Sequence, residues 1–302
     1  MSAGYAAVAA RPVGQRVRRT IALLGRRGFA VSPRRLADLC LGGPVSEADV
    51  RWTVAAEPEL AVAEDLVVER AALDRVGAIR SRSLAHSSAS QAYIGLTVDF
   101  VRTLVSAAPF ITSVSIAGSL ASGGFRESDD VDLNLIVEDG HRHLAYVVVN
   151  VLGILHALRH RHKPVDDLSR RPIAPRLMTA NLILERSQCL PLERQDEDMA
   201  FELLVGEPVF GLEAVRDVIG ANPALLDHFP QLEQRPAPLL IDAPRHRLSK
   251  ALYPSWLDSP ARWLGESAWR YMQWTRRNRP DALARVAFVR ATMRPYTLFD
   301  VN

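Results

Sequence analysis

The chain has 302 residues, a length that predicts about two folded domains, and its composition, 48% apolar and 24% charged, excludes wholesale disorder. Its two cysteines exclude a disulfide framework or a cysteine zinc site, so a cytoplasmic location is expected. A net charge of +3 does not by itself imply a nucleic-acid partner. The most apolar stretch, residues 144–158, is shorter than the roughly 20 residues that a spanning helix needs, so no transmembrane segment is expected.

Residues 1–83 are expected to form a winged-helix-like module. Ser32 followed by Pro33 predicts the start of one helix, and Ser46 predicts the cap of the next. Two short apolar runs, residues 60–62 and 66–68, then flank a turn and predict a hairpin.

Such a module could bind DNA through its second helix in the major groove, or it could serve as a structural or protein-docking unit. The second helix carries Glu47 and Asp49, with Arg51 as its only basic residue. A recognition helix meets phosphates with positive charge, so the pattern favours the structural or docking unit.

Residues 84–188 have an α/β pattern. The predicted elements are a helix over 91–108, strands over 111–117 and 131–137, a helix over 144–158 and a strand over 177–184. Strands separated by helices indicate a mixed sheet covered by helices.

Residues 189–302 are expected to form a helical C-terminal domain with a lopsided charge. Residues 190–235 hold ten acidic and three basic side chains, whereas residues 245–302 hold eleven basic and four acidic ones. The acidic segment could dock against the basic one within the chain.

The basic segment interleaves aromatic and arginine side chains. These are Trp256, Trp263, Trp269, Tyr271 and Trp274 among Arg262, Arg270, Arg276, Arg277 and Arg279. This pattern is typical of a packed helix with snorkelling arginines, but also of a surface that binds nucleic acid or another anionic ligand, or of one that contacts a membrane.

The segment that is richest in chemistry runs from the strand at 111–117 to the strand at 131–137. Asp130 and Asp132 are two residues apart on a predicted strand, so both side chains project from one face. Two adjacent carboxylates repel each other, and Mg²⁺ held by one or two carboxylates and substrate phosphates suits such a pair. Gly118 and Ser119 follow the preceding strand, where backbone N–H groups and a hydroxyl could hold phosphate oxygens.

Two further residues of the intervening loop extend this candidate phosphate surface. Ser122 precedes a pair of glycines, and Arg126 could contact phosphate or could be an ordinary surface residue. A bare Asp-x-Asp motif is weak evidence by itself. Here the two aspartates also lie on a predicted strand, follow a loop of ten residues and alternate with apolar residues.

This arrangement resembles the nucleotidyltransferase fold of the DNA polymerase beta superfamily. The shared features are Gly118-Ser119, a ten-residue loop, and the alternation of Asp130 and Asp132 with the apolar Val131 and Leu133. The order of elements is also similar to that of uncharacterised prokaryotic nucleotidyltransferase-domain proteins. Those place a small winged-helix-like module before the core and a helical tail after it.

The resemblance implies transfer of a nucleoside monophosphate from an NTP to a hydroxyl, with release of pyrophosphate. It implies that Asp130 and Asp132 hold Mg²⁺ or Mn²⁺ and that Gly118 and Ser119 bind the outer phosphates. The acceptor could be a small molecule, a protein side chain or an RNA end.

Members of that superfamily usually carry a third carboxylate on a later strand, and here the expected position holds Asn181. An asparagine offers a neutral oxygen and is a poor general base. Glu185 on the same predicted strand, or Asp166 and Asp167 in the loop before it, could substitute for the missing carboxylate. A catalytically degenerate nucleotide-binding or regulatory protein is therefore the alternative function, and a winged-helix DNA-binding regulator is a third.

Overall fold

The protein is described here by a computed structural model. It describes residues 8, 11–164, 177–234, 241–244 and 246–277, with the single residues 280, 283, 284, 287 and 298. Asp166, Asp167 and Arg279 lie outside the described residues. The fold is α/β, with helices packed around a four-stranded mixed sheet, as the order of predicted strands and helices indicated.

The N-terminal region contains three helices and a hairpin. They are α1 (Val13–Arg26), α2 (Pro33–Asp38), α3 (Glu47–Ala56), β1 (Leu60–Ala63) and β2 (Leu66–Glu69). The predicted caps are confirmed, because the side chains of Ser32 and Ser46 accept hydrogen bonds from the backbone N–H groups of Arg35 and Asp49. Between β1 and β2, Glu64 and Asp65 take positive φ angles, as a tight hairpin turn requires.

A long helix connects this region to the sheet. After a 3-10 turn over Arg70–Arg75, α4 runs through Val76–Ala107, much longer than the predicted helix over 91–108. It passes without a break through the proposed domain boundary at residues 83 and 84. The boundary stays a prediction.

The central elements follow the predicted order. They are β3 (Ile111–Ala117), α5 (Gly118–Ser122), β4 (Val131–Val137), α6 (Arg142–Ala157) and β5 (Met178–Glu185). Strand β4 pairs antiparallel with β3 and parallel with β5, and α6 supplies the crossover that a parallel pair needs. A bulge in β5 shifts the register between Ala180 and Leu182.

The C-terminal region contains helices, as expected, and one strand that the sequence pattern did not predict. The elements are α7 (Arg186–Cys189), α8 (Glu197–Val205), β6 (Glu207–Phe210), α9 (Leu212–Ala221), α10 (Ala224–His228) and α11 (Asp258–Arg276), with 3-10 turns over 230–234, 250–252 and 255–257. Strand β6 pairs antiparallel with β3 and completes the sheet in the order β5-β4-β3-β6. Thus the core sheet draws on residues beyond the proposed boundary at 188 and 189.

The two faces of the sheet bury different sets of residues. On β4 the buried positions alternate, with Leu133 and Leu135 packing among residues of α4 and α6. The opposite face turns toward a second cluster, in which α1–α3 and the hairpin share a core with α8–α10. The residues of this face that carry polar groups, Asp132 and Asn134, are half-buried. The N-terminal region therefore packs beside the face that holds the candidate site.

The acidic segment pairs with α1 rather than with the basic C-terminal residues in the ion pairs that the structure gives. Arg19 and Arg26 contact Glu197 at 2.5 and 3.3 Å, and Arg27 contacts Asp198 and Glu202 at 3.3 and 3.1 Å. Opposite charges thus join the N-terminal region to α8.

None of the helices that the structure describes is both long enough and apolar enough to cross a membrane.

Candidate functional site

The candidate site is built where β3 turns into α5 beside the acidic start of β4. Gly118 has a φ of +61°, and a Cβ placed on it would lie 2.2 Å from Oδ2 of Asp132. Only glycine combines this backbone angle with so close an approach. The pairing of Ala117 with Asp132 across the two strands fixes this juxtaposition. The turn and the aspartate are therefore in direct contact.

Asp129 holds the loop between α5 and β4. Its Oδ2 accepts hydrogen bonds from the hydroxyl of Ser119 at 3.2 Å and from the backbone N–H of Arg126 at 3.1 Å. Arg82, on α4, donates to the same oxygen at 2.7 Å and to the carbonyl of Gly124 at 2.9 Å. One arginine thus ties a helix to both ends of the loop, and Ser119 has a fixed orientation.

The two aspartates of the predicted metal pair occupy different surroundings. Asp130 closes the loop just before β4 and is half-buried. Asp132 lies in β4, where its Oδ1 accepts a hydrogen bond from the hydroxyl of Thr179 on β5 at 3.1 Å. The neighbour of Asp132 on the next strand is therefore a threonine hydroxyl.

Asn181 contacts Asn134 rather than the Asp130–Asp132 pair in the hydrogen bonds that the structure gives. Its Nδ2 donates to Oδ1 of Asn134 at 2.8 Å and to Oε1 of Glu202 at 3.2 Å. Asn134 also donates to Glu202 at 3.1 Å. Asn181 is thus one member of an amide and carboxylate cluster that continues along the same face of the sheet.

Glu202 is the charged centre of this cluster and is only 7% exposed. Besides the two amides it binds the guanidinium of Arg27, whose carbon atom Cζ also lies 4.9 Å from the centre of the Phe201 ring. Because a buried carboxylate is costly without a partner, Arg27 and the amides are what make its burial tolerable. Arg27 stands at the end of α1, so the N-terminal region closes this side of the site.

Of the substitutes that the sequence suggested for the third carboxylate, Glu185 is the one that the structure describes, and it does not reach the site. Glu185 pairs in register with Val137, at the far end of β4 from Asp132, and its Oε1 accepts a hydrogen bond from Gly140 N–H at 2.8 Å. Among the residues that the structure describes, no group of three or more His, Cys, Asp and Glu side chains could hold a metal ion. Asp130 and Asp132 by themselves are two carboxylates, a set that fits Mg²⁺ only with further oxygens from a substrate.

A crevice continues from Asn134 along the same sheet face. It runs between the sheet and helices α8 and α9 and is partly open to solvent. Its walls are mostly apolar, with Ser115, Asn134 and Glu202 supplying polar groups.

Neither cysteine offers a nucleophile. Burial raises the pKa of the Cys40 thiol, and burial together with the charge of Asp139 raises the pKa of Cys189 to about 12. Both thiols are therefore protonated at neutral pH and shielded from solvent.

The structure places Gly118 against Asp132, with Ser119 next to Gly118 in the chain and Asp130 just before the start of β4. Ser122 ends α5, and Arg126 contributes its backbone N–H to the loop. Sequence reasoning missed Arg82, Thr179 and Glu202, whose respective partners Asp129, Asp132 and Asn134 lie 47 or more residues away along the chain. Asn134, two positions after Asp132 on the same strand, was the local sequence signal for the amide cluster.

Comparison with known proteins adds no family assignment: no protein-family model, no curated protein and no solved structure matches this chain.

Proposed function

We propose that this protein is a metal-dependent nucleotidyltransferase that moves a nucleoside monophosphate from an NTP to a hydroxyl acceptor and releases pyrophosphate. In this proposal residues of α5 and β4 form the catalytic end of a nucleotidyltransferase-type sheet. The three N-terminal helices and the hairpin form a winged-helix-like module, and the expected cytoplasmic location stays part of the proposal.

The observation that carries this proposal is the contact between Gly118 and Asp132. A glycine that has no room for a Cβ lets backbone N–H groups and a metal-binding carboxylate face the same phosphate chain. A plain surface turn would have no need of glycine at this position, since its side chain would point into solvent. The pattern of Gly-Ser, loop and alternating aspartates supports the same function.

The residues would divide the work as follows. Ser119 and the backbone of the turn would bind the outer phosphates, with the hydroxyl of Ser119 oriented by Asp129. Asp130 and Asp132 would hold the metal, and the hydrogen bond from Thr179 would fix the carboxylate of Asp132. Mg²⁺ or Mn²⁺ would supply charge neutralisation of the triphosphate. The acceptor oxygen would then bond to the α-phosphorus as the bond from that phosphorus to the oxygen of the leaving pyrophosphate breaks, and the hydroxyl proton of the acceptor would pass to water.

A specific observation favours a second candidate, a nucleotide-binding regulatory protein without transfer activity. The amide of Asn181 donates to Asn134 and Glu202, so the residue at the expected third-carboxylate position cannot take a proton from the acceptor. Thr179, the neighbour of Asp132 on β5, is no stronger as a base.

Binding and transfer can be tested together. Transfer of label from α-phosphate-labelled NTPs with Mg²⁺ or Mn²⁺ is measured into a cell extract fractionated by size, which separates metabolite, protein and RNA acceptors. Asp130→Asn/Asp132→Asn runs beside the wild type, with Asp99→Asn, at an exposed position on α4, as the matched control. Label that only the site variant loses supports the enzyme. Metal-dependent NTP binding without transfer supports the regulatory protein.

A further inference from the structure

Helix α11 packs against α6. Ala261 and Gly265 are buried, and Trp269 is half-buried. At the start of the helix, Asp258 accepts hydrogen bonds from the backbone N–H groups of His143 and Leu144 at 2.7 and 2.8 Å. These contacts fix which side of α11 faces outward.

The opposite face carries aromatic rings in solvent. Trp263 and Trp274 are separated by eleven residues, which is about three helical turns, so they project from the same side. They are 71% and 58% exposed, and Tyr271 beside them is 65% exposed. Single exposed apolar side chains are ordinary, but several large rings on one helix face indicate an interaction surface.

Arginines lie between and beyond these rings. Arg270 is on the outward face, and the guanidinium carbon of Arg277 lies 4.1 Å from the centre of a Trp274 ring. Glu266 is the acidic residue of this stretch, and both Arg262 and Arg270 contact it, at 2.8 and 3.8 Å. The outward face therefore has an excess of positive charge.

We propose that this outward face of α11 binds single-stranded nucleic acid. The unstacked bases would stack on Trp263, Tyr271 and Trp274, and the phosphates would pair with Arg270 and Arg277. Tyr271 and Trp274 already lie nearly parallel, with an interplanar angle of 25° and ring centres 6.1 Å apart. The distance from Trp263 to Trp274, about 16 Å along the helix, suits a strand of a few nucleotides.

Charge and spacing favour this ligand over the other surfaces that aromatic rings can meet. Duplex DNA hides its bases from stacking, so it would leave the rings without a partner. A membrane would favour a continuous apolar stripe, whereas Ser267 and Arg270 interrupt the outward face between the two tryptophans.

The test is the binding of a fluorescein-labelled twelve-residue oligouridylate to the full chain, measured by anisotropy at low and moderate salt. We expect binding that weakens as salt rises. Trp263→Ala/Trp274→Ala should lose about tenfold or more in affinity, since each stacked base contributes strongly. Arg270→Glu/Arg277→Glu, at exposed positions, should lower affinity and flatten the salt dependence.

Two controls keep this test separate from the nucleotidyltransferase proposal. Trp52→Ala removes a tryptophan that is 72% exposed on α3 and should leave binding unchanged. Asp130→Asn/Asp132→Asn should also leave oligonucleotide binding unchanged, so either proposal can fail alone. Circular dichroism and melting temperature confirm that each variant is folded.

Several outcomes would overturn the proposal. These are absence of oligouridylate binding, or binding that neither α11 variant reduces. Binding to vesicles of phosphatidylserine and phosphatidylcholine without oligonucleotide binding would assign the face to membranes. Self-association that the tryptophan variant abolishes, again without oligonucleotide binding, would assign it to a second copy of the chain.

Discussion

Gly118 lies so close to Asp132 that a methyl group on its α-carbon would stand 2.2 Å from Oδ2 of the aspartate. This one contact joins the turn after β3 to the acidic start of β4, and every role proposed for the site depends on it. The hydrogen bonds from Thr179 to Asp132 and from Ser119 to Asp129 then fix the side chains on either side.

Gly118→Ala should therefore abolish Mg–NTP binding while leaving the fold largely intact. The added methyl group meets Asp132 and takes a left-handed backbone angle, a cost of about 1–3 kcal/mol from the angle alone. Isothermal titration with a non-hydrolysable NTP analogue measures the first effect, and urea unfolding measures the second. The matched control is Gly95→Ala in α4, where nothing lies within 4 Å of the new methyl group. It should stabilise the protein slightly. Unchanged nucleotide binding in Gly118→Ala would refute the assigned contact.

Arg82 and Asp129 should behave as one unit in a double-mutant cycle. Each single alanine variant releases the loop, because Arg82 links Gly124 and Asp129 while Asp129 links Ser119 and the backbone of Arg126. We expect the double variant to bind Mg–NTP no more weakly than the worse single variant, with a coupling of about 0.5–3 kcal/mol. Arg80→Ala, which removes an exposed ion pair with Glu64, is the control. Additive losses would show that the clamp does not act on the nucleotide.

Asn181→Asp should destabilise the protein instead of restoring a third metal ligand. The new carboxylate would lose the hydrogen bonds to Asn134 and Glu202 and would stand about 3 Å from the carboxylate of Glu202. Like-charge repulsion raises the pKa of the new aspartate in the folded state. The destabilisation caused by this substitution is therefore small at low pH and grows as pH rises through the raised pKa of the new aspartate.

Equilibrium unfolding of this variant at pH 5 and pH 8 tests the prediction. Asn150→Asp on α6, whose amide donates to Tyr146 within its own helix, provides an amide-to-acid control away from Glu202. A variant that is as stable as the wild type at pH 8, and that transfers nucleotide faster, would contradict the account of the amide cluster.

Asp258 should make stability depend on pH through its contacts with α6. Desolvation would raise the pKa of this carboxyl, but the hydrogen bonds from the side chain of His143 and from backbone N–H groups outweigh it, so the net pKa is lowered. A lowered pKa gives stability that is present above the unfolded value near 3.8 and is lost as pH falls through the folded value. We expect Asp258→Asn to cost about 1 kcal/mol at pH 7.

The difference between wild type and Asp258→Asn should shrink below about pH 4, as urea unfolding at successive pH values would show. Asp99→Asn, at an exposed position on α4, should show no such trend. A difference that stays constant from pH 7 to pH 3 would mean that the ionised carboxylate contributes nothing to stability.

Local sequence signals predicted the elements that are defined by local chemistry. Alternation predicted β3 and β4, and Ser32 and Ser46 predicted two helix starts. Strand β6 was not predicted, because its four residues, Glu207–Phe210, are too few to show a clear alternation. The strand is held by pairing with β3, about 90 residues earlier in the chain. Long-range pairing leaves no periodic trace in so short a segment.

The candidate site was predictable in the same uneven way. Gly118, Ser119 and Asp132 share a local motif, so the sequence located them. The family resemblance selected Asn181 as the residue beside the aspartates, whereas the strand register places Thr179 opposite Asp132 and a bulge follows between Ala180 and Leu182. The arginines of the site, Arg27 and Arg82, come from distant helices and look like any surface arginine before folding.

The central claim is that Asp130 and Asp132 bind a metal–nucleotide complex against the Gly118 turn. The most direct measurement is isothermal titration of the full chain with a non-hydrolysable NTP analogue, with and without Mg²⁺, for wild type, Asp130→Asn, Asp132→Asn and the control Asp99→Asn. The account predicts Mg²⁺-dependent binding in wild type and Asp99→Asn that each site variant weakens by about tenfold or more. Binding of equal strength in all four proteins, or no binding in any, would contradict it.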